Sequence, residues 1–399
     1  MSEIKSFGPF AQIVTCDKLP ATGPVGELEV LENMGIQVRG EVIEKIGPME
    51  SLEGEQISFP YPAVAVPGFI DAHTHICFAG SRANDYALRT CGMSYLAIAE
   101  RGGGILQTVR QTRAASENEL IEGVQKRANR LLANGVTTCE VKSGYGLSLA
   151  EEVKMLRAIQ KASTKTTLIP TCLAAHTLPP EFTSRQEYLQ MIIKELLPIV
   201  KEERLASRVD IFVEKGAFSA AEALPFLLAA KEMGFEIVVH ADQFSRGGAL
   251  LAAEVGARSA DHLEVSIAED FYKMQEAGVT AVMLPGATLG LGLAFPPARE
   301  ALDAGLSVVI ASDWNPGSAP MGDLLTQAAL LGAAQKLSIP ETLAAMTVRA
   351  AHVLGLHDRG VLKSEKIADI AIFPVANYQE IFYYQGALKP TDVIKAGIL

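Results

Sequence analysis

Seven histidines are spread over 399 residues, and two of them, His73 and His75, stand two apart in V-P-G-F-I-D-A-H-T-H. Residues two apart at the end of a strand project to one face, so this pair offers two imidazoles to one ion. An H-x-H pair is only moderately specific by itself, because most lone histidines serve packing or the surface. Context adds to it. His176, His240 and His262 also follow short apolar runs, whereas His352 and His357 sit on or just beyond a late helix, where a structural role is expected. A catalytic metal needs neutral imidazoles, a carboxylate for charge and one position left for water. His73, His75 and His240 with Asp313 would meet that need. Asp313 stands in I-A-S-D-W-N-P-G, where capping the following turn accounts for an Asp as well as metal ligation does.

The elements that must position these residues are legible as eight apolar runs: 63–70, 136–141, 167–173, 209–213, 236–239, 258–261, 279–284 and 307–311. Between them lie segments at helical period, among them 119–133, 149–162, 185–202, 220–233 and 268–277, several closed by a glycine such as Gly135, Gly234 or Gly278. Strands alternating with helices predict an α/β fold, a (β/α)8 TIM-like barrel over residues 63–357. In such a barrel the chemistry collects at the C-terminal ends of the strands. His73, His75, Glu140, His176, Glu214, His240, His262 and Asp313 all fall there. The flanks, 1–62 and 358–399, carry short pieces rich in Val and Ile (12–14, 36–38, 42–46, 369–373 and 392–394) separated by Gly, Pro and Asn. They predict antiparallel structure, one small β-sandwich domain built from both chain ends, since neither half has strands enough to stand alone.

Composition narrows the function classes. With 49% apolar residues the chain can bury a large core and is no disordered tail. Acidic residues outnumber basic ones by 46 to 35, which leaves no footprint for nucleic acid or an anionic membrane. The five cysteines are odd in number and form no C-x-x-C, so a disulfide framework is disfavoured and a reducing cytoplasm is expected. The start, MSEIKSFGPFAQIV, lacks the layout of a signal peptide. Residues 277–298 are 22 without a charge, long enough to cross a bilayer, but Pro285, Pro296, Pro297 and several glycines break a spanning helix. A buried strand followed by a Gly-rich loop is the expectation there, and its A-T-L-G-L-G-L-A-F stretch (287–295) anchors to no site residue.

V-P-G-F-I-D-A-H-T-H with a strand-end His and a late S-D resembles the amidohydrolase superfamily, which pairs such a barrel with a small β-sandwich. Further segments narrow the likeness: H-T-H-I-C-F-A-G-S-R (73–82), R-G-G-G-I (101–105), E-V-K-S-G-Y-G (140–146), H-A-D-Q-F (240–244), D-H-L-E (261–264) and A-S-D-W-N-P-G-S-A-P (311–320). In this order, over about residues 60–375, they closely resemble the imidazolonepropionases, hydrolases of histidine degradation. The resemblance implies hydrolysis of the ring C–N bond of 4-imidazolone-5-propanoate to N-formimidoyl-L-glutamate by a metal-activated water. It implies one Zn2+ or Fe ion per chain on His73, His75, His240 and Asp313, the set that spacing already offers, and a homodimer. It also implies substrate contacts from Arg82, Tyr145, His176, Gln243, Asn315, Gly317 and Ser318.

Each of these has a physical sense. Arg82 offers a planar fork for the propionate carboxylate, although without the motif an Arg on a solvated face explains it too. Gln243 marks a position open to Glu in relatives, so no carboxylate role is assigned to it. Asp313 would orient the water, take its proton and pass it to the leaving nitrogen. His262 would orient the water, stabilise developing charge or fix another ligand, and His176 would polarise the ring carbonyl or hold the substrate. Some superfamily members bridge two metals with a carbamylated lysine. Here Lys142 and Lys215 are the candidates, a second metal is disfavoured, and Lys142 is expected to pair with Glu140. Two other readings stand beside this one. A deaminase of a heterocyclic base would use the same site without needing Arg82, and a non-catalytic barrel scaffold should have lost a ligand.

Overall fold

The computed structural model describes residues 3–93 and 95–399. Eight parallel strands follow one another in chain order around a barrel: Phe69–Asp71, Val136–Lys142, Thr167–Ala175, Arg208–Val213, Glu236–Ala241, Ser259–His262, Thr280–Met283 and Val308–Ile310. The second strand is buried at all seven positions, as a strand must be when side chains fill the barrel on one side and helices cover the other. The ring closes at its C-terminal end. There Thr74 pairs in parallel with Trp314, and the amides of Asp313 and His75 donate to the carbonyls of His73 and Trp314, both at 3.0 Å. Three of the four residues proposed as ligands, His73, His75 and Asp313, therefore lie where the barrel closes.

The helix Glu117–Ala133 illustrates how local sequence serves this packing. It starts two residues earlier than periodicity suggests because Ser116 caps it: the Ser116 hydroxyl accepts from the Glu119 amide, and the Glu119 carboxylate accepts from the Ser116 amide at 2.8 Å. Loss of such a cap costs about 1 kcal/mol. Leu120, Val124, Ala128 and Leu131 recur every three or four residues and are the ones buried. The stretch 185–202 also forms, as Arg185–Met191 and Leu197–Glu202 joined by a wider π-turn at Ile192–Leu196. Pro198 has no amide to give to the ladder, and it sits just where the α-turns resume.

Two expectations need correction. The run 63–70 is two strands in two sheets: Val64–Pro67 pairs with Ile4–Val14 and Ile370–Phe373, and only Phe69–Asp71 enters the barrel. Gly68 marks the change, its amide donating to the Asp369 carbonyl at 2.8 Å. The stretch after the seventh strand is not all loop. Pro285, with its backbone already set for a helix, opens Pro285–Leu291, and Gly292 in the left-handed region closes it. A side chain on Gly290 would collide with the Ser318 carbonyl, so this helix lies directly against the loop 315–318.

The chain ends meet as expected, hydrogen-bonded as one seven-stranded sheet that includes Val30–Arg39, Val42–Gly47, Glu55–Ile57 and Asp392–Ile394. Its pairing is mixed, because Ile4–Val14 runs parallel to both Glu55–Ile57 and Val64–Pro67. Phe7, Phe10, Ile13, Ile36, Ile370 and Ile394 form a core separate from that of the barrel. Among the described residues, no helix is long and apolar enough to cross a membrane.

Candidate metal centre and substrate pocket

His73 and His75 extend the first barrel strand, His240 lies in the fifth, and Asp313 follows the eighth. The Nε2 atoms of His73 and His240 lie 3.2 and 3.4 Å from Nε2 of His75. Asp313 Oδ1 is 3.2 Å from His75 Nε2 and 3.5 Å from His73 Nε2. Behind the rings, His73 Nδ1 is 2.6 Å from Asp261 Oδ2 and His240 Nδ1 is 2.9 Å from Asp210 Oδ2. A carboxylate can only accept, so the hydrogen bond to Asp261 puts the proton of His73 on Nδ1 and leaves Nε2 a bare lone pair; the nearness of Asp210 favours the same tautomer at His240, although its Nδ1 meets no hydrogen-bond geometry. Lone pairs facing one another, beside a buried Asp313 Oδ1 with no hydrogen-bond partner, form a set of donors that could hold a cation. Three nitrogens and an oxygen suit zinc or iron.

Charge points the same way. Asp71, Glu140, Asp210, Asp261 and Asp313 are all buried, with Lys142 in their midst. Burial pushes the Asp71 carboxyl up to about 7 and raises those of Glu140, Asp261 and Asp313. At Asp210 burial acts upward too, but His240 and Lys142 outweigh it and hold the carboxyl low. Burial lowers His75 to about 3 and His240 to about 4, and His73 well below its ordinary value, so all three rings are neutral ligands near neutrality. A divalent cation would offset this excess of buried negative charge. Asp313 also sits at φ +50° and His262 at +89°, conformations that cost energy in residues other than glycine and cluster at working sites.

Around this centre the structure gathers most of the other candidates. The His176 ring stacks on His75 at 5.3 Å and 19°, and its Nδ1 is 3.0 Å from the Gly144 carbonyl. Tyr145 is buried, its ring 5.9 Å from that of His75 and 5.5 Å from that of His176. His262 lies 5.4 Å from His240, ring to ring, with Nδ1 3.4 Å from Glu264 Oε1. Thr288, on the short helix Pro285–Leu291, donates to that same oxygen at 3.2 Å, so the stretch 287–295 does anchor to the site. Arg82 is held through Nε by Asp85 at 2.9 Å, and Asp85 also accepts from the Gly104 amide at 2.9 Å. Among the described residues no carboxylate pairs with the terminal nitrogens of Arg82, which face Gly317, where an added Cβ would lie 2.4 Å from Nη1. Asn315 folds the next residues into a turn, accepting from the amides of Gly317 and Ser318 at 2.8 Å each.

Gln243 is buried in the loop after the fifth strand and makes no hydrogen bond among the described residues. Its neighbours are fixed by Glu214, which accepts from the amides of Phe244 and Ser245 at 2.8 and 3.1 Å. Lys142 pairs with Glu140 at 2.7 Å, and Lys215 is exposed. Carbamylation needs a neutral amine, and carboxylates keep Lys142 charged. His352 and His357 lie beside one another and outside the cluster. Sequence reasoning missed Asp210 and Asp85, and read Asp261 and Glu264 only as parts of a motif. An Asp in the apolar run V-D-I-F-V was the available signal, because a buried carboxylate persists only where something pairs with it.

The amidohydrolase family profile matches residues 64–399. The imidazolonepropionase of Bdellovibrio bacteriovorus is 40% identical over 380 residues, 93% of this chain and 89% of its own. That of Symbiobacterium thermophilum is 46% identical over 345 residues, 84% of this chain and 80% of its own. That of Deinococcus radiodurans is 39% identical over 400 residues, 100% of this chain and 99% of its own. The similarity thus reaches beyond the motifs into both chain ends. Among solved structures, a triazine hydrolase from Arthobacter aurescens superposes with a TM-score of 0.72 at 16% identity, covering 99% of this chain and 94% of that one. A zinc-bound adenosine deaminase from Xanthomonas campestris gives 0.70 at 17%, covering 99% and 92%. These last two are likenesses of fold.

Proposed function

Because the chain belongs to the amidohydrolase family, and within it to the imidazolonepropionases, we propose that it hydrolyses 4-imidazolone-5-propanoate to N-formimidoyl-L-glutamate. The observation that carries this reading is the convergence of His73, His75, His240 and Asp313 at the mouth of the barrel, with the Arg82 guanidinium held at its rim through Nε by Asp85. A zinc or iron ion held by those four residues would acidify a water and polarise an amide carbonyl. Asp313, with one carboxylate oxygen unpartnered, takes the proton from the attacking water and returns it to the ring nitrogen as the C–N bond opens.

His176 is neutral, since burial lowers it well below its ordinary value. Its Nδ1 must donate to the Gly144 carbonyl, so Nε2 offers only a lone pair. That favours holding the substrate through a ring N–H over polarising its carbonyl. At His262 burial acts downward, but Glu264, Asp313 and Asp261 outweigh it and raise the imidazole. With Nδ1 turned to Glu264, its Nε2 carries a proton only in the imidazolium form, and in that form it would donate to the oxygen on which charge develops. Arg82 takes the propionate carboxylate with its two terminal nitrogens, Tyr145 walls the ring, and the amides of Gly317 and Ser318 stay on Asn315. Gln243 contributes an amide at the same mouth. A cytoplasmic setting agrees with five unpaired cysteines, and a homodimer is proposed on family resemblance alone.

The test is a direct assay of purified, metal-analysed protein with freshly made 4-imidazolone-5-propanoate, following loss of ring absorbance and appearance of N-formimidoyl-L-glutamate. Turnover that a chelator removes supports the reading. One tightly held metal per chain without turnover would discard this substrate and leave the hydrolase site standing.

A further inference from the structure

Lys142 is wholly buried inside the barrel, and its Nζ lies 2.7 Å from Glu140 Oε1, 2.8 Å from Asp210 Oδ2 and 3.8 Å from Asp261 Oδ2. Each of these carboxylates has a second engagement, two of them at a proposed ligand and the third at the backbone between two ligands. Asp261 meets His73 at Nδ1. Asp210 meets His240 twice, at the ring Nδ1 and at the backbone amide, 3.2 Å away. Glu140 accepts from the Thr74 amide at 3.3 Å, while its own carbonyl accepts from the Thr74 hydroxyl at 2.6 Å, which pins the backbone between His73 and His75. Lys142 and Glu140 come from the second strand, Asp210 from the fourth and Asp261 from the sixth. Alternate strands supply one layer of a barrel interior, and this layer lies behind the histidines.

We propose that Lys142 is the positioning residue of the metal centre: a single ammonium that holds together the three carboxylates on which His73, His75 and His240 rest. Without it, three like charges would face one another in a buried space and the supports would turn away from their histidines. The inference rests on the proposed metal site and is independent of the substrate. A role confined to stability would leave the geometry of the bound ion alone, so the geometry is what the experiment must read.

The experiment replaces the native metal of the full-length protein with Co2+ and records the visible absorbance bands, which follow ligand geometry, and the Co2+ affinity by competition with a chelator. In Lys142→Met the bands should shift and the affinity should fall by about ten- to a hundredfold, the range found when groups supporting metal ligands are lost. Arg349→Met is the control. Arg349 is another buried cation, bound to the Pro20 and Gly23 carbonyls, and its loss should lower Tm without moving the cobalt bands. If Lys142→Met does not fold, the double variant Lys142→Met/Glu140→Gln removes one charge of each sign and should show the same shifted bands and weakened binding. Wild-type bands with wild-type affinity in either variant would overturn the proposal. Failure of the wild-type protein to turn over 4-imidazolone-5-propanoate, with cobalt bound normally, would count against the substrate and not against Lys142.

Discussion

The floor and the rim of the pocket are built differently. On the floor, His73, His240, Asp210, Asp261 and Lys142 stand on strands or one or two residues beyond them, are buried, and are tied to one another across strands by ion pairs. At the rim, Arg82, Tyr145, Gln243 and the turn 315–318 stand on connections after strands one, two, five and eight, and Arg82 meets Asp85 through Nε alone among the described residues. On the proposed function, the difference separates two jobs. Parts that must hold an ion to within a fraction of an ångström belong on rigid elements, whereas parts that choose a substrate are free to vary on loops.

That separation can be broken from either side. The largest effect is expected on the floor: His240→Ala should abolish both metal binding and turnover, measured by metal analysis and the ring-opening assay. Full activity without bound metal in that variant would remove the floor from the chemistry. At the rim, Gly317→Ala should leave metal content unchanged and lower kcat/KM about tenfold, mostly through KM, because the new methyl group displaces the guanidinium of Arg82. The smallest effect concerns stability. Asp71 in the folded, metal-free protein holds its proton up to about 7, whereas in the unfolded chain it ionises near 3.8. Its contribution is therefore fully present below about pH 4 and is lost as the pH rises through 7. Asp71→Asn keeps an acceptor for the Ser312 amide and cannot ionise. Its Tm relative to wild type should be higher at pH 8 than at pH 5 by about 2–4 °C.

The same division governs what the sequence reveals. Strands are short apolar runs and their ends are marked by residues that do not belong in a core, so seven of the eight barrel strands, and the convergence of His73, His75, His240 and Asp313 at their ends, could be read in advance. The eighth case, 63–70, failed because a run shared by two sheets looks like one strand until its partners are known. Lys142 was read as the partner of Glu140 alone, since pairing with Asp210 and Asp261 joins residues 68 and 119 positions apart, a relation that no local pattern carries. Rim residues were named through family motifs, and spacing alone would have left Arg82 on a solvated face. Asp85 stayed invisible for the same reason: its two partners, Arg82 and Gly104, meet only when the loop closes.

The central claim, that the floor performs the reaction and the rim selects a carboxylate-bearing substrate, is tested most directly by one comparison. It measures kcat/KM for 4-imidazolone-5-propanoate and for its side-chain carboxamide, in the wild-type protein and in Arg82→Ala. Wild type should prefer the acid by about ten- to a hundredfold, as befits a charge-assisted pair. In Arg82→Ala the preference should fall to near one with metal content unchanged. A preference that survives the loss of Arg82 would contradict the claim.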